Sequence, residues 1–266
     1  MRRLCAALAL LGCVHGQPSE RVDIAEPAVI EASTVDAEFA AAKEEYDQGR
    51  YEDAARRLHA LAGKPGLAPL LRGSALLQEG VCRVEAGQRA EAQALLRKSL
   101  EIFDRQAMME PIDPTLKAQA EYWLGEAYDR EFREVPLDPA GMTDDALSAA
   151  LERKADLLLS AQGHFLRCVQ RGDSDWAVAS GARIGEMYEQ LYQQIVNAPV
   201  PPGLTESQRI YYQQELRARA RTLLEKAMRV YEDTLAAAER TGASGEAVAR
   251  ATAALERLRS ALLQPN

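Results

Sequence analysis

The sequence has little of the side-chain chemistry on which most enzymes and metal sites depend. Aromatic residues make up 6% of its 266 residues, and there are only three histidines and four cysteines. The His-Glu-x-x-His motif of zinc proteases, the phosphate-binding P-loop and the Gly-x-Ser-x-Gly motif of serine hydrolases are all missing, which excludes these classes of site. We therefore expect a protein that is not an enzyme and has no catalytic residues, cofactor, metal ion or small-molecule substrate.

Positive charge is scarce relative to negative charge. The chain carries 32 Lys and Arg against 40 Asp and Glu, for a formal net charge of -8 at pH 7. Affinity for nucleic acid comes mostly from basic side chains that neutralise phosphates, so this balance argues against a nucleic-acid partner. It also argues against attachment to an anionic membrane by charge alone.

The few histidines and cysteines allow two pairings, a metal site and a disulfide. His164 and Cys168 are four apart on a predicted helix, but structural zinc needs four ligands and no second pair complements them. Cys82 and Cys168 would be able to form a disulfide in an oxidising compartment, given suitable geometry. Two buried free thiols that act as small hydrophobes are the interpretation we favour.

Alanine and leucine dominate the hydrophobic residues, which make up 47% of the chain. Together with Glu, Arg and Gln they are strong helix formers. Runs of β-branched residues, which favour strands, are almost absent after about residue 35. The composition therefore predicts an all-α domain over residues 35–263.

The N-terminus reads MRRLCAALALLGC, a basic start followed by an apolar run at residues 4–11 that is too short to span a bilayer. Its end, Leu-Leu-Gly-Cys, resembles the lipobox of bacterial lipoproteins. This resemblance implies that residues 1–13 are a signal peptide and that Cys13 is lipidated, with enough acyl chains for stable anchoring. An ordinary secretory signal cut after Gly16 and a fortuitous apolar N-terminus are the alternatives.

The residues after Cys13 predict where the domain is held. In lipoproteins of this kind an Asp after the lipidated Cys favours the inner membrane, whereas this chain has Val14. The resemblance therefore implies an outer-membrane location that faces the periplasm. Residues 14–34 contain two prolines and no helical period, which predicts a flexible tether between the lipid and the domain.

The body of the chain is repetitive. Two segments share one spacing, in which a small residue is followed by Gly seven, Ala twelve and Leu sixteen residues later. These residues are Ala42, Gly49, Ala54 and Leu58 in the first segment, and Gly80, Gly87, Ala92 and Leu96 in the second. We expect the second Gly to end a helix in a left-handed turn, the small residue and the Ala to lie at a close helix crossing, and the Leu to fill the space between adjacent pairs.

Two later segments carry a related motif, an aliphatic residue and Gly followed by Tyr three residues later. The Gly residues are Gly125 and Gly185. Because Gly inside a helix costs about 1 kcal/mol relative to Ala, its reuse at one motif position indicates a close helix contact. Their second helices are predicted at about 150–170 and 215–240, and residues 245–263 form an amphipathic helix that fits a terminal cap.

This order of small residue, Leu, Gly and Tyr resembles that of tetratricopeptide repeats (TPR), over about residues 36–263. The segment around 195–212 is also similar to a recurrent element of TPR lipoproteins from gliding and predatory bacteria. The resemblance implies a right-handed α-α superhelix, a TPR-like solenoid of about four helix pairs with a C-terminal capping helix. The chain departs from the pattern by having Ala42 in place of Gly, Arg83 in place of Tyr, and long inserts at 131–147 and 195–208.

In TPR proteins the first helix of each pair lines a concave groove. The alignment then gives a candidate partner-binding site, which consists of Lys43, Tyr46, Val81, Glu85, Tyr122, Glu126, Asp129, Glu186 and Glu189. Its second half is acidic and two tyrosines serve as anchors, which predicts a basic or mixed-charge peptide or protein as partner. The alternative is that these are generic exposed helix positions. The inserts would either belong to the binding face or simply lengthen connections between helices.

A groove and a lipid anchor together imply a scaffold or adaptor that holds an envelope protein near the outer membrane. Two other functions remain open. One is a structural subunit of an outer-membrane assembly, secretion or motility complex, similar to the TPR subunit of the β-barrel assembly machine. The other is a secreted, untethered regulator of an envelope enzyme.

Overall fold

The computed structural model describes residues 32–263, with side chains as far as residue 260. Within this part the chain forms no strands, and the all-α prediction is confirmed. The helices are α1 (Ala32–Asp47), α2 (Tyr51–Ala62), α3 (Pro69–Glu85), α4 (Arg89–Ala107), α5 (Pro114–Glu134), α6 (Asp144–Gln170), α7 (Ser174–Val196), α8 (Glu206–Thr241) and α9 (Glu246–Leu263).

Most of the N-terminal predictions lie outside the described residues. This holds for the signal peptide at 1–13, for Cys13 and for the tether as far as residue 31. The structure corrects one boundary, because α1 begins at Ala32 and so includes the last three residues of the predicted tether. Val35 is buried in the first turns of α1, and its packing extends that helix toward the N-terminus.

Local signals place many of the helix ends. Gly49 and Gly87 have positive φ, so both end their helices in the predicted left-handed turn. The side chains that cap helix starts by accepting a backbone N–H are Asp113, Thr143, Asp173 and Thr205. At the start of α8, Thr205 and Gln208 form a reciprocal capping box.

The two predicted inserts are shorter in the structure than in the sequence pattern. Helix α5 continues to Glu134 and α6 begins at Asp144, so the first connection comprises residues 135–143. The second comprises residues 197–205. The caps at Thr143 and Thr205 start the following helices earlier than the hydrophobic period alone indicated, and residues 206–219 of α8 contain no buried side chain.

Each helix packs against the next one in the chain. The members of a pair run antiparallel: Gly73 lies beside Phe103 and Gly80 beside Leu96, so position rises on α3 as it falls on α4. The odd-numbered helices run parallel to one another. Gln78 of α3, for example, donates a hydrogen bond to Gln119 of α5.

The odd-numbered helices contact one another more than the even-numbered helices do. From α3 to α9, each odd-numbered helix packs against the next odd-numbered one. Among the described residues, even-numbered helices make at most marginal contact with each other. Helices α3, α5, α7 and α9 therefore form a contiguous layer, and we call this layer, together with α1 beside it at its N-terminal end, the odd layer.

A glycine opposite a bulky side chain recurs where the paired helices cross. A Cβ on Gly80 would lie 2.7 Å from Leu96, one on Gly125 would lie 2.6 Å from Phe165, and one on Gly185 would lie 2.5 Å from Tyr231. These distances are too short for real Cβ contacts, so the close contact predicted from the motif is confirmed. Leu96 also belongs to a cluster with residues of α5, so it fills space within its own pair as well as between pairs.

We expect Gly185→Ala to destabilise the protein by about 1–3 kcal/mol, because the added methyl group would overlap the ring of the buried Tyr231. The matched control is Gly163→Ala on α6, where a new Cβ would meet only the end of Arg167 at 3.5 Å. That change should stabilise the helix by about 0.5–1 kcal/mol. Urea unfolding measures both, and equal effects of the two substitutions would contradict the close crossing.

Candidate partner-binding groove

The odd layer contains a cavity of about 620 Å³ at the N-terminal half of the domain. Its walls come from α1, α3 and α5, with Trp176 from the first turn of α7 and Leu58 from α2. Most of the lining is apolar and includes Phe39, Tyr46, Leu71, Val81, Trp123 and Trp176. This volume matches the size of typical binding pockets, and such sites combine apolar walls with a few placed polar groups.

The polar groups of the cavity are few and mostly neutral. Lys43 donates to Asp47 at 2.5 Å within α1, so their charges compensate each other. Gln78 and Gln119 provide amide groups from α3 and α5. The Nε1 of Trp123 is buried and has no hydrogen-bond partner among the described residues. A buried donor without an acceptor is costly.

The start of α7 is fixed by a cap that also reaches α5. The carboxylate of Asp173 accepts the backbone N–H of Trp176 at 3.0 Å and the hydroxyl of Thr115 at 2.9 Å. The Trp176 ring then packs against Tyr122, with ring centroids 4.9 Å apart. This arrangement positions the Trp176 ring in the wall of the cavity.

Two groups of the cavity wall are kept uncharged. Burial raises the pKa of Tyr46 to about 12, and it raises the pKa of Cys82 to about 12 as well. Cys82 and Cys168 are both buried free thiols in the structure. Since the thiolate is the reactive form of cysteine, Cys82 contributes to the wall as a small hydrophobic group. The cavity is therefore equipped for binding through contact and hydrogen bonds.

The structure divides the nine predicted groove residues into two sets. Lys43, Tyr46 and Val81 line the cavity. Glu85 lies beside Tyr46 and accepts a hydrogen bond from Arg130 at 2.8 Å. The others lie further along the odd layer, where Tyr122, Glu126 and Asp129 are buried and Glu186 and Glu189 are partly buried.

Glu126 is one of the two fully enclosed carboxylates of this set and is 2% exposed. Arg183 of α7 donates to both of its oxygens at 2.5 Å and also donates to Glu186 at 2.8 Å. Burial raises the pKa of Glu126, although the charge and hydrogen bonds of Arg183 oppose the rise. Glu186 is in addition 3.3 Å from Arg250 of α9.

Arginines also hold the remaining acidic positions. Asp129 accepts from Arg133 at 2.6 Å, and Glu189 accepts three hydrogen bonds from Arg257, the shortest at 2.8 Å. The acidic half of the predicted groove is thus neutralised within the chain. Its ion pairs connect α5, α7 and α9. The prediction of a basic partner depended on free negative charge in the groove, and most of that charge is paired with arginines of the chain itself.

Other features of the odd layer had no signal in the sequence. Glu121 is buried and accepts from Arg167 at 3.1 Å and Arg171 at 2.9 Å, with His164 Nδ1 2.9 Å away. Burial acts to raise the pKa of Glu121, but the hydrogen bonds outweigh it and hold the pKa below its ordinary value. His164 and Cys168, weighed as a metal pair, are therefore separate, because His164 faces Glu121 and Cys168 packs in the core.

Comparison with known proteins does not identify a family for the chain. No protein-family model matches the chain, and no curated protein matches it at a significant level. Among the described helices, none combines the length and apolar character that a bilayer-spanning helix needs.

We expect Arg183→Met to cost about 3–5 kcal/mol at neutral pH, because it leaves the Glu126 carboxylate buried without its counter-charge. The pKa of Glu126 is already raised by burial, so the folded variant takes up a proton more readily than the unfolded chain as the pH falls. The loss should therefore shrink toward acidic pH. Denaturant unfolding between neutral and mildly acidic pH measures this dependence.

The control for this prediction is the double variant Arg183→Met with Glu126→Gln. It removes both charges and should recover most of the lost stability. A double variant as unstable as the single one would show that Arg183 acts through packing and not through its charge.

Proposed function

We propose that the chain is a TPR-like helical scaffold that binds a segment of a partner protein in the cavity of the odd layer. Four antiparallel helix pairs followed by α9 support the TPR-like arrangement, as do small residues at the pair crossings. Close packing within the odd layer and wide spacing of the even-numbered helices favour curvature with the odd layer inside. A right-handed superhelix of this kind presents its inner face to ligands.

The single observation that carries the proposal is the apolar cavity of about 620 Å³ with both tryptophans of the chain in its wall. Aromatic side chains in a desolvated pocket are typical of binding hot spots. The lining fits an extended or helical segment that inserts one bulky apolar side chain. Gln78, Gln119 and the Lys43–Asp47 pair would then contact polar or mixed-charge groups on either side of it.

The proposal includes the lipid anchor at Cys13 and an outer-membrane location that faces the periplasm. An anchored groove would raise the concentration of its partner near the membrane without any additional contact. The lipobox-like end of residues 1–13 supports this part, and it is independent of the cavity.

We expect a photo-crosslinking amino acid at Leu71, which is 36% exposed beside the cavity, to capture a partner in cells. The same probe at Leu159, which is 63% exposed on α6, is the matched control and should capture nothing comparable. Adding Ser74→Leu, which fills part of the cavity, should abolish the crosslink from position 71. The exposed Ser148→Leu should leave it unchanged.

The crosslinked product is identified by mass spectrometry, and its binding is then measured through the fluorescence of the chain's two tryptophans. A crosslink that forms equally from positions 71 and 159, or that survives Ser74→Leu, would contradict binding in the cavity.

For the anchor, we expect the intact mass of the mature N-terminal peptide to show a lipidated Cys13 in the outer-membrane fraction. Cys13→Ala should abolish the modification and release the protein from the membrane. A free mature chain that begins at Gln17 would contradict the anchor and favour a secreted protein. The crosslinking result would stand in either case, because the cavity lies within residues 39–176.

A further inference from the structure

A second depression lies where the first turn of α3 meets the end of α4. This cleft, of about 440 Å³, has apolar walls that include Leu67, Ile102 and Met109. Three basic side chains surround it, Arg72, Lys98 and Arg105, with Glu101 as the one carboxylate in the lining. We call it the cationic cleft. It is separate from the cavity of the odd layer, whose lining it does not share.

The charges of the cationic cleft are left uncompensated by the described part of the chain. No carboxylate of residues 32–260 lies within ion-pair distance of Arg72, Lys98 or Arg105. The Nε of Arg72 is buried and has no hydrogen-bond partner there either. This contrasts with the odd layer, whose carboxylates Glu121, Glu126 and Glu189 are each paired with arginine. In a chain of net charge -8, three free cations around an apolar cleft call for an acidic, partly apolar occupant.

The chain itself contains such a segment, and it enters the fold beside the cleft. Residues 20–31 read ERVDIAEPAVIE, with four acidic residues, one basic residue and the apolar side chains of Ile24, Val29 and Ile30. Helix α1 begins at Ala32, and Val35 belongs to the same apolar cluster as Leu67, against which Ile102 packs. Leu67 and Ile102 are walls of the cationic cleft.

The length of the segment allows it to reach the basic side chains. Six extended residues span about 20 Å and nine span about 30 Å, so a chain that runs back from Ala32 is long enough to carry Glu26 and Asp23 to a cleft whose walls share an apolar cluster with Val35 of α1. Closing such a short loop costs little entropy, because the segment is covalently attached next to its site. A partner protein would have to compete with this high local concentration.

We infer that residues 20–31 bind in the cationic cleft, with carboxylates on Arg72, Lys98 and Arg105 and apolar side chains on Leu67, Ile102 and Met109. The segment then acts as an intramolecular ligand of the domain. The free part of the predicted tether shortens to residues 14–19, which would hold the domain closer to the N-terminal attachment point. The inference depends on neither the lipid anchor nor the partner-binding cavity.

The test is thermolysin digestion of the full chain, because this protease cuts before apolar residues such as Ile24, Val29 and Ile30 and its sites survive charge substitutions. We expect Lys98→Glu with Arg105→Glu to speed cleavage within residues 20–31 by about fivefold or more, since cleavage follows the population of the open segment. Both side chains are exposed, so the fold should tolerate the change. High salt should speed cleavage of the wild-type chain in the same way.

Two further variants make the test specific. Arg217→Glu with Arg229→Glu makes the same charge change at exposed positions of α8 and should leave the cleavage rate unchanged. Asp23→Lys with Glu26→Lys should open the segment alone, and combining it with Lys98→Glu and Arg105→Glu should restore protection. Equal cleavage of the wild type and the Lys98/Arg105 variant, an equal effect of the α8 control, or a failed restoration would each overturn the inference. So would a synthetic acidic peptide that binds the cleft while residues 20–31 are cut freely.

Discussion

The contact on which the rest of the structure depends is that of a glycine on an odd-numbered helix with a large side chain on its even-numbered partner. Gly80, Gly125 and Gly185 face Leu96, Phe165 and Tyr231, all of which are fully buried. Removing the Cβ lets each pair approach closely, and the large side chain fills the crossing without a void. Three successive pairs repeat this contact, so each presents a similar face to the next, and the odd-numbered helices come to lie parallel in one layer. The cavity exists because that layer is continuous and is bounded by α1 and Trp176.

A second constraint is that the buried carboxylates of the odd layer need positively charged partners. Buried charges are tolerated only when they are paired and hydrogen-bonded, and here arginines from neighbouring elements supply the partners. Arg183 joins α7 to Glu126 of α5, Arg250 and Arg257 of α9 reach Glu186 and Glu189 of α7, and Arg130 of α5 reaches Glu85 of α3. These links cross from one helix pair to the next, so they fix the register between repeats. Apolar contacts alone would define that register less precisely. The same links neutralise negative charge on the odd layer and leave the apolar cavity as its most prominent chemical feature.

These two constraints explain which properties could be read from the sequence. The glycine spacing, the turns at Gly49 and Gly87 and the capping box at Thr205 and Gln208 depend on neighbours close in the chain, and all are present as predicted. The paired carboxylates could not be recognised, because Glu126 and Arg183 are 57 residues apart and nothing in either local pattern marks the other.

The same limit applies to the cavity. Tyr46 and Val81 were identified from their repeat positions, whereas Trp123 and Trp176 are brought together only by the packing of α5 against α7. Repeat position thus identified residues that line the cavity at the N-terminal end of the predicted groove, but it could not distinguish exposed side chains from buried ones further along.

The two proposed sites meet at the first turns of α3, and this has a consequence for how they would work together. Leu71 and Ser74 face the cavity, whereas Pro69 and Arg72 face the cationic cleft, so successive residues of one helix serve both. Gly73 lies directly on the ring of Phe103, which leaves this turn little freedom to move. Binding of residues 20–31 would therefore set the direction in which the chain leaves the domain relative to the cavity opening. In a tethered protein that direction decides which way the cavity faces from the membrane. A segment held in the cleft would thus orient the bound partner as well as limit its distance, which a freely moving tether of the same length cannot do.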